Sequence, residues 1–330
     1  MNSYGTLFKI TLYGESHQPA IGIIIDGMPA GIFIDQASIT RDLKKRQPGA
    51  IGTTPRKETD EFKILSGVFN DHSTGSPIHI MIENQNIKSQ DYEHLKMHPR
   101  PGHADFVASK KYHGFHDYRG GGRFSGRLTA ALVAAGSIAK MVIPYQLSHQ
   151  LIQLGKLKDL SKMDEYLTEI ANQKDSVGGI IEVKAHGLPV GLGEPFFQKL
   201  DAEIARMMFS IPSVKGVEFG LGFRGIESLG SETNDVFIDQ EGRTKTNHSG
   251  GVTGGISNGN ELVFRVMIKP TSSIGKPQET FDFSEHEVKE LIIGGRHDVA
   301  IARRVGIVLE NALAIVLADQ YLMYKAYLKD

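Results

Sequence analysis

Two glycine-rich stretches contain the residue types best suited to binding an anion. Residues 118–129 (YRGGGRFSGRLT) place arginines among glycines and run into an alanine-rich helical pattern at 130–141, and a second stretch covers 246–259. A glycine loop that opens a helix exposes backbone N–H groups at the positive end of the helix dipole, where phosphate groups bind. The sequence therefore predicts an anion site of the kind that an enzyme uses.

Three shorter motifs place histidine beside residues that handle protons or charge: GESH at 14–17, RPGHAD at 100–105 and GGRHD at 294–298. A lone loop histidine is more often a packing residue, but three such clusters favour proton transfer near neutral pH. The run KKR at 44–46 ends a predicted helix. It either complements the helix dipole or holds an anionic substrate.

Composition limits the classes of protein to consider. The chain has 330 residues, 40% of them hydrophobic, and a formal net charge of −1. A net charge this close to zero does not favour general electrostatic binding of nucleic acid. With no cysteine, thiolate nucleophiles and cysteine metal sites are excluded. We find no uninterrupted apolar run approaching the roughly 18 residues of a membrane span, and we expect a cytoplasmic protein with no membrane partner, no nucleic-acid partner and no metal.

The elements that must position these motifs follow from periodicity and from turn residues. Strands are predicted at 21–26, 62–69, 77–83, 179–184, 216–223 and 261–269. Helices are predicted at Gln36–Arg46, 126–141, Met163–Asn172, 201–209 and 301–324, the last being the longest. We predict an α+β fold that forms a single domain over 1–330, with 147–175 as a short helical surface region.

Many ordered motifs together resemble one family. Besides the motifs above, they include KKRQPG at 44–49, DYRGGGR at 117–123, GGISNG at 254–259 and KPTSS at 269–273. From about residue 5 to about residue 322, the chain resembles the chorismate synthases. The resemblance implies helices between antiparallel sheets, a homotetramer, and anti-1,4-elimination of phosphate from 5-enolpyruvylshikimate-3-phosphate to give chorismate, with reduced FMN required. Reduced flavin would come from a separate reductase or from NADPH.

The resemblance also implies roles for individual residues. His17 matches the histidine that protonates the departing phosphate, His103 the one that protonates reduced flavin, and Asp298 the acid that assists proton removal through the flavin. Lys45, Arg46 and Arg127 match substrate contacts. The cofactor positions are Arg123, Phe124, Ser125, Pro212, Ser213, Gly254, Lys269, Pro270, Thr271, Ser272, Ser273 and Arg296, and Arg296 also suits the anionic substrate.

Several residues depart from the family pattern. Phe124 and Leu128 stand where relatives carry serine and glutamate in RSSARET, and Gln18 and Val299 replace glycine and proline. Lys45 and Gly52 stand where arginine is frequent. The alternative is therefore a diverged, non-catalytic paralogue that binds FMN or a phosphate ester.

For the tetramer, we expect the apolar face of the final helix to supply contact surface.

Overall fold

Two antiparallel sheets contain the long strands of this computed structural model, which describes residues 1–54, 59–85, 95, 97–294 and 297–328. The first sheet contains β1 (Ser3–Tyr4), β2 (Lys9–Gly14), β3 (Ala20–Asp26), β4 (Phe62–Ser66) and β7 (Ile78–Glu83), in the order β1-β2-β3-β7-β4. The second contains β8 (Gln146–Leu154), β9 (Gly179–His186), β10 (Val214–Phe219) and β13 (Leu262–Ile268), in the order β10-β13-β9-β8. Short hairpins join β5 (Val68–Phe69) to β6 (His72–Ser73), β11 (Val252–Thr253) to β12 (Ile256–Ser257), and β14 (Gln278–Asp282) to β15 (Glu287–Leu291).

The bounds of the helices are α1 Gln36–Arg46, α2 Asp105–Lys111, α3 Thr129–Val142, α4 Met163–Asn172, α5 Leu200–Ser210, α6 Gly230–Thr233 and α7 Ala302–Tyr327. Helices α3 and α7 form the centre of a helical layer between the two sheets, with α1 and α5 packed on α7. Helix α3 packs on β2, β3 and β7 of the first sheet, α7 packs on β8 and β9 of the second, and α3 and α7 pack on each other. Alternating side chains of β3 and β9, such as Ile23 and Val183, point into this core. The α+β fold with helices between antiparallel sheets is confirmed.

Helix α7 is the centre of the core. By length and composition it could cross a membrane, but 89% of its most apolar 18-residue window is buried inside the protein. Side chains from Ala302 to Gln320 are buried almost without interruption. A helix surrounded in this way has little apolar surface left for another subunit, so our expectation of a tetramer contact along its apolar face is wrong.

A polar network inside the helical layer fixes the position of α1. One carboxylate oxygen of Asp42 accepts hydrogen bonds from Lys140 Nζ at 2.8 Å and Ser137 Oγ at 2.9 Å on α3. Asn311 Nδ2 on α7 donates to the same oxygen at 3.1 Å. Because buried polar groups are costly unless they are paired, this network favours one register of the three helices. It sets the direction in which the next turn of α1 projects Arg46.

Most predicted elements occur where periodicity placed them. Helices α1 and α4 have the predicted bounds, and Asp35 caps α1 by accepting from the N–H groups of Ala37 and Ser38. The predicted strand 62–69 is interrupted at Gly67, where φ is +82°, and the predicted strand 216–223 ends at 219 because the chain turns at Gly220, where φ is +53°. Predicted helix 126–141 begins as a 3₁₀ turn, Gly126–Leu128, before α3.

The region 147–175 differs from its prediction. It includes α4, but its first part is β8, the edge strand of the second sheet. This strand packs against α7, so residues 147–154 belong to the main architecture and the helical prediction for them is wrong. His149 points inward from this strand and pairs through Nδ1 with Glu310 on α7 at 2.5 Å. The assignment of 1–330 to a single domain stays a prediction.

We predict that Gly136→Ala destabilises the protein although alanine is the better helix former. A Cβ atom at Gly136 would lie 2.3 Å from the carbonyl oxygen of Asn311, where α3 and α7 cross. Overpacking of this kind costs about 1–3 kcal/mol of unfolding free energy, measurable by urea denaturation. The control is Gly230→Ala on α6, where nothing lies within 4 Å of the added Cβ. Equal stability of the two variants would contradict the prediction.

Candidate active site

The candidate site is a cavity of about 200 Å³ at which sequence-distant segments meet. Four arginines and two aspartates contribute to its wall: Arg46, Arg100, Arg127, Arg304, Asp60 and Asp298. They come from the end of α1, the loops around 60 and 100, the turn before α3, the segment that leads into α7, and the first turn of α7. Such a concentration of guanidinium groups suits a ligand with several anionic groups.

The glycine loop lies against the rings of the two predicted catalytic histidines, so it is more than an anion-binding loop. Gly120, Gly121 and Gly122 all have positive φ, at 58°, 79° and 50°. A Cβ on Gly120 would lie 2.4 Å from His17 Nε2, and one on Gly121 would lie 3.5 Å from His103 Nε2. Consecutive glycines thus allow both rings to approach one turn. Gly120 lines the cavity with His17, which is 6% exposed, behind it.

His103 is oriented by a carboxylate and an arginine. Its Nδ1 atom lies 2.6 Å from Asp105 Oδ1, and Arg100 binds the same carboxylate through Nε at 2.7 Å and Nη2 at 2.8 Å. Arg100 Nη2 also lies 3.1 Å from His103 Nδ1, but a guanidinium can only donate, so the shorter contact to Asp105 assigns the proton to Nδ1. This arrangement leaves His103 Nε2 on the side of the glycine loop, where a proton can be exchanged.

Asp105 is held in its charged form. Burial alone would raise the pKa of its carboxyl group, but hydrogen bonds from Arg100 and His103 outweigh burial and hold that pKa well below its usual range. Neither Arg100 nor Asp105 was given a role by the sequence analysis, although both lie in the RPGHAD motif. Their side chains form the support that the predicted catalytic histidine requires.

Arg46 and Arg127 meet at a buried aspartate that sequence analysis missed. Asp60 Oδ2 accepts from Arg46 Nη2 at 2.7 Å, and Asp60 Oδ1 accepts from Arg127 Nη1. Burial lowers the pKa of Arg46, with Asp60 acting in the opposite direction. The Nε atom of Arg46 is buried and lacks a hydrogen-bond partner in the described part of the chain. A buried donor in that state is ready for an acceptor supplied by a ligand.

Asp298 also lines the cavity and is held by an arginine of α7. Arg304 binds it through Nε at 3.1 Å and Nη2 at 2.7 Å, and the backbone N–H of Thr54 donates to Oδ1 at 3.0 Å. Arg304 also donates to the carbonyl oxygen of Arg46 at 3.3 Å. The pair therefore connects the segment before α7 to the end of α1. The sequence predicted no role in the site for Arg304, because it lies in an Arg-Arg doublet at the start of a helix and belongs to none of the motifs.

The turn 269–273 joins the predicted cofactor residues to the His103 loop. Lys269 Nζ donates to the carbonyl oxygen of Gly102 at 2.6 Å and approaches Ser272 Oγ at 2.8 Å, and burial lowers the pKa of Lys269. Arg100 Nη1 donates to Ser273 Oγ at 3.0 Å. The hydroxyl of Thr271 is buried, lines the cavity and has no hydrogen-bond partner among the described residues. Pro270 lies between these residues in the turn.

A second cavity, of about 350 Å³, lies beside the first and shares Ser125 with it. Its wall is largely apolar and includes Leu12, Leu128, Met207, Ile211 and Pro212, together with Arg123. Within the described residues, Arg123 has no hydrogen-bond or ion-pair partner. An apolar cavity with a cation and a serine hydroxyl at its edge suits a flat, mostly apolar ring system.

Other predicted cofactor residues lie around these cavities or away from them. Phe124 is 38% exposed, and Ser213, with φ +74°, accepts from the backbone N–H of Lys269 at 2.9 Å. Gly254 is exposed in the turn between β11 and β12 and lines neither cavity. Arg296 lies outside the described residues. Some of the predicted cofactor residues therefore lie together around the two cavities, and others lie away from them.

Lys45 is not brought to the central cavity with its neighbour Arg46. Its side chain is 62% exposed and lies 3.7 Å from Asp42. Adjacent residues on a helix point about 100° apart, so one residue of the pair faces the cavity and the other does not. For Lys45, the structure favours the solvated reading of the basic run, whereas Arg46 belongs to the cavity.

Two departures from the family pattern contact each other. The backbone N–H of Val299 donates to the carbonyl oxygen of Gly52 at 2.9 Å. Proline has no N–H group and could not make this bond. At Gly52, where φ is +81°, a Cβ would lie 2.8 Å from a methyl carbon of Leu167. Elsewhere, Gln18 donates through Nε2 to Asp117 at 3.0 Å, and Leu128 is buried beside the second cavity.

Comparison with known proteins gives one family. The chorismate synthase family model matches residues 8–322. A chorismate synthase from Chitinophaga pinensis is 53% identical over 98% of this chain and 97% of its own length, and one from Methanocaldococcus jannaschii is 41% identical over 97% and 96%. A crystal structure of a chorismate synthase superposes with a TM-score of 0.75 at 26% identity, covering 97% of this chain and 93% of that one.

We predict that Asp105→Asn destabilises the protein near neutral pH and that the difference narrows in acid. The folded pKa of Asp105 lies below its ordinary value of 3.8, so its contribution is present above about pH 4 and is lost as pH falls through the folded pKa. Removing one member of a buried charge pair costs about 3 kcal/mol. Urea unfolding at pH 7 and pH 3 measures both values, with the exposed Asp71→Asn as control. A difference that stays constant with pH would contradict this.

Proposed function

The chain belongs to the chorismate synthase family of lyases, and on that premise we propose which of its residues act on the phosphorylated substrate and how. The reaction is the anti-1,4-elimination of phosphate from 5-enolpyruvylshikimate-3-phosphate, which gives chorismate. The observation that carries the proposal is the convergence of four guanidinium groups on one small cavity beside two histidines. A substrate with a phosphate and two carboxylates requires such an environment.

Substrate binding is assigned to the arginines of the central cavity. Arg46 and Arg127 are oriented by Asp60, and the unpartnered Nε of Arg46 supplies a donor for an anionic oxygen. Arg100 and Arg304 add positive charge on the other walls, where each is paired with an aspartate. Because charge-assisted hydrogen bonds are short and directional, this set fixes the orientation of the substrate as well as its affinity.

Proton handling is assigned to His17, His103 and Asp298. His17 would donate a proton to the departing phosphate from behind Gly120, which lowers the barrier to breaking the C–O bond. His103 would hold its second ring proton on Nε2, because Asp105 accepts the proton on Nδ1. The carboxylate of Asp298 would accept the proton, and two hydrogen bonds from Arg304 fix its orientation.

A flavin follows from family membership, and we propose that the bound form is reduced FMN. The turn 269–273 suits its phosphate and includes Thr271, Ser273 and Lys269. Thr271 offers a buried hydroxyl without a partner among the described residues, and Lys269 offers an ammonium group in the same turn. Arg123, Ser125 and Pro212 suit its ring at the edge of the apolar cavity. When bound, reduced FMN would supply electron density that assists C–O bond cleavage. NADPH is the proposed reductant if no separate reductase serves the protein.

We also propose a cytoplasmic homotetramer, supported by family resemblance. The second copy would contact the apolar surface formed by Phe223, Ile226, Leu229 and Phe237, each at least 70% exposed. An exposed cluster of large apolar side chains is typical of a contact between subunits. Light scattering that returned a monomer at micromolar concentration would remove this proposal.

The reaction is tested by anaerobic turnover with chemically reduced FMN. We predict that His17→Ala and His103→Ala each lower kcat by about 10²–10⁴-fold, the usual contribution of proton transfer by a positioned side chain. Chorismate formation is followed by absorbance, with His186→Ala as control because that histidine lies half-exposed on β9. Unchanged turnover in both test variants would assign the histidines a packing role. Wild-type flavin binding without any turnover would instead identify a binding paralogue.

We predict that the protein binds reduced FMN more tightly than oxidised FMN when substrate is present. Thr271→Val, which removes the unpartnered hydroxyl at nearly constant volume, should weaken flavin binding about tenfold, or about 1.4 kcal/mol, the loss of one charge-assisted hydrogen bond. Fluorescence titration measures both affinities, and Thr40→Val on the exposed face of α1 is the matched control. If neither redox state binds, with or without substrate, the cofactor assignment fails.

A further inference from the structure

Asp60 joins two guanidinium groups through one carboxylate. Its side chain has no solvent exposure, and its two oxygens are divided between Arg46 on α1 and Arg127 before α3. Among the described residues, it is the only carboxylate that forms an ion pair with Arg46. Arg46 otherwise approaches uncharged oxygens, Thr129 Oγ1 at 3.4 Å and the carbonyl of Gly126 at 3.5 Å. One aspartate thus fixes the relative placement of two cations that belong to different elements.

The backbone at Asp60 supports a constrained role. Its φ is +52°, in the left-handed region that few residues other than glycine adopt, although aspartate and asparagine tolerate it. Such a conformation costs free energy and persists where surrounding interactions require it. In this conformation the carboxylate of Asp60 reaches both arginines at once. A residue held in this way is a candidate for a functional constraint.

We propose that Asp60 is a positioning residue that holds Arg46 and Arg127 in the geometry needed to grip the anionic groups of one substrate molecule. The inference rests on the proposed function, in which both arginines bind the substrate. Electrostatic neutralisation by Asp60 would weaken anion binding, whereas positioning strengthens it for a ligand that spans both arginines. The two effects have opposite signs, so they can be separated by experiment.

Two variants separate charge from geometry. Asp60→Asn removes the charge and keeps the size and the tolerance of positive φ, but its NH₂ group would face a guanidinium donor. Asp60→Glu keeps the charge and displaces the carboxylate by one methylene. Glu61→Gln is the matched control, because it removes one negative charge at the neighbouring, exposed position. Circular dichroism and thermal unfolding establish that each variant is folded.

The readouts are kcat and KM for elimination, and the affinity for inorganic phosphate by calorimetry. For Asp60→Asn we expect kcat/KM to fall about 10²-fold, the scale of a misplacement of about 1 Å. Its phosphate affinity should be unchanged or tighter, because a small anion needs only one arginine and the cavity has gained positive charge. For Asp60→Glu we expect kcat/KM to fall about tenfold, because the displaced carboxylate misplaces the two arginines, whereas phosphate affinity should stay within about twofold of wild type, because the charge is kept and one arginine is sufficient. Glu61→Gln should match wild type.

Three results would overturn the inference. One is a kcat/KM in Asp60→Asn within about twofold of wild type, which would show that Asp60 only neutralises the charge of the two arginines. Another is a parallel fall of kcat/KM and phosphate affinity in Asp60→Asn together with a lower unfolding temperature, which would indicate a structural role alone. The third is a kcat/KM in Asp60→Glu within about twofold of wild type, which would show that the placement of the carboxylate does not matter. The phosphate affinity of Asp60→Asn needs no turnover, so a fall in it counts against the inference even if wild type forms no chorismate, a result that would itself remove the proposed function. If Asp60→Asn does not fold, Asp60→Glu alone decides.

Discussion

Four guanidinium groups can converge on one small cavity only if carboxylates lie between them. Like charges a few ångströms apart repel strongly where water is scarce, and an unpaired buried charge costs several kcal/mol. Here Asp60 forms ion pairs with Arg46 and Arg127. Asp105 forms one with Arg100, and Asp298 forms one with Arg304. Asp60 joins separate segments, since its partners lie 14 and 67 residues away, whereas Asp105 and Asp298 pair with arginines five and six residues away. The ion pairs therefore give all four arginines defined directions, and Asp60 in addition joins the end of α1 to the turn before α3.

The helical layer makes this assembly possible. Asp42, Lys140 and Asn311 tie α1, α3 and α7 together, and Arg46 lies one turn beyond Asp42 on the same face of α1. Arg304, in the first turn of the same α7, reaches both Asp298 and the last residue of α1. The core and the site thus share their framework, and a shift of one helix by a residue would separate the charged groups.

Local patterns in the sequence were sufficient for much of this architecture and for part of the site. Helices α1 and α4 follow from caps and periodicity, and His17, His103 and Asp298 follow from motifs. Asp60 could not be found in this way, because its partners lie 14 and 67 residues away and no short spacing connects them. Strand β8 was missed because inward-facing His149 interrupts the apolar alternation, which only its pairing with Glu310 explains. Pairing between distant segments is the information that local pattern lacks.

The contact between Gly52 and Val299 has a consequence for the history of this sequence. The bond from Val299 N–H to the Gly52 carbonyl depends on a donor that proline lacks, and the space at Gly52 is taken by Leu167 on α4. A change back to proline at one position would remove the bond, and a larger side chain at the other would displace α4. The two positions and the helix above them are therefore expected to change together in evolution, as a unit beside Asp298. A substitution at Gly52 or at Val299 is then expected to move α4 and the segment of Asp298 together.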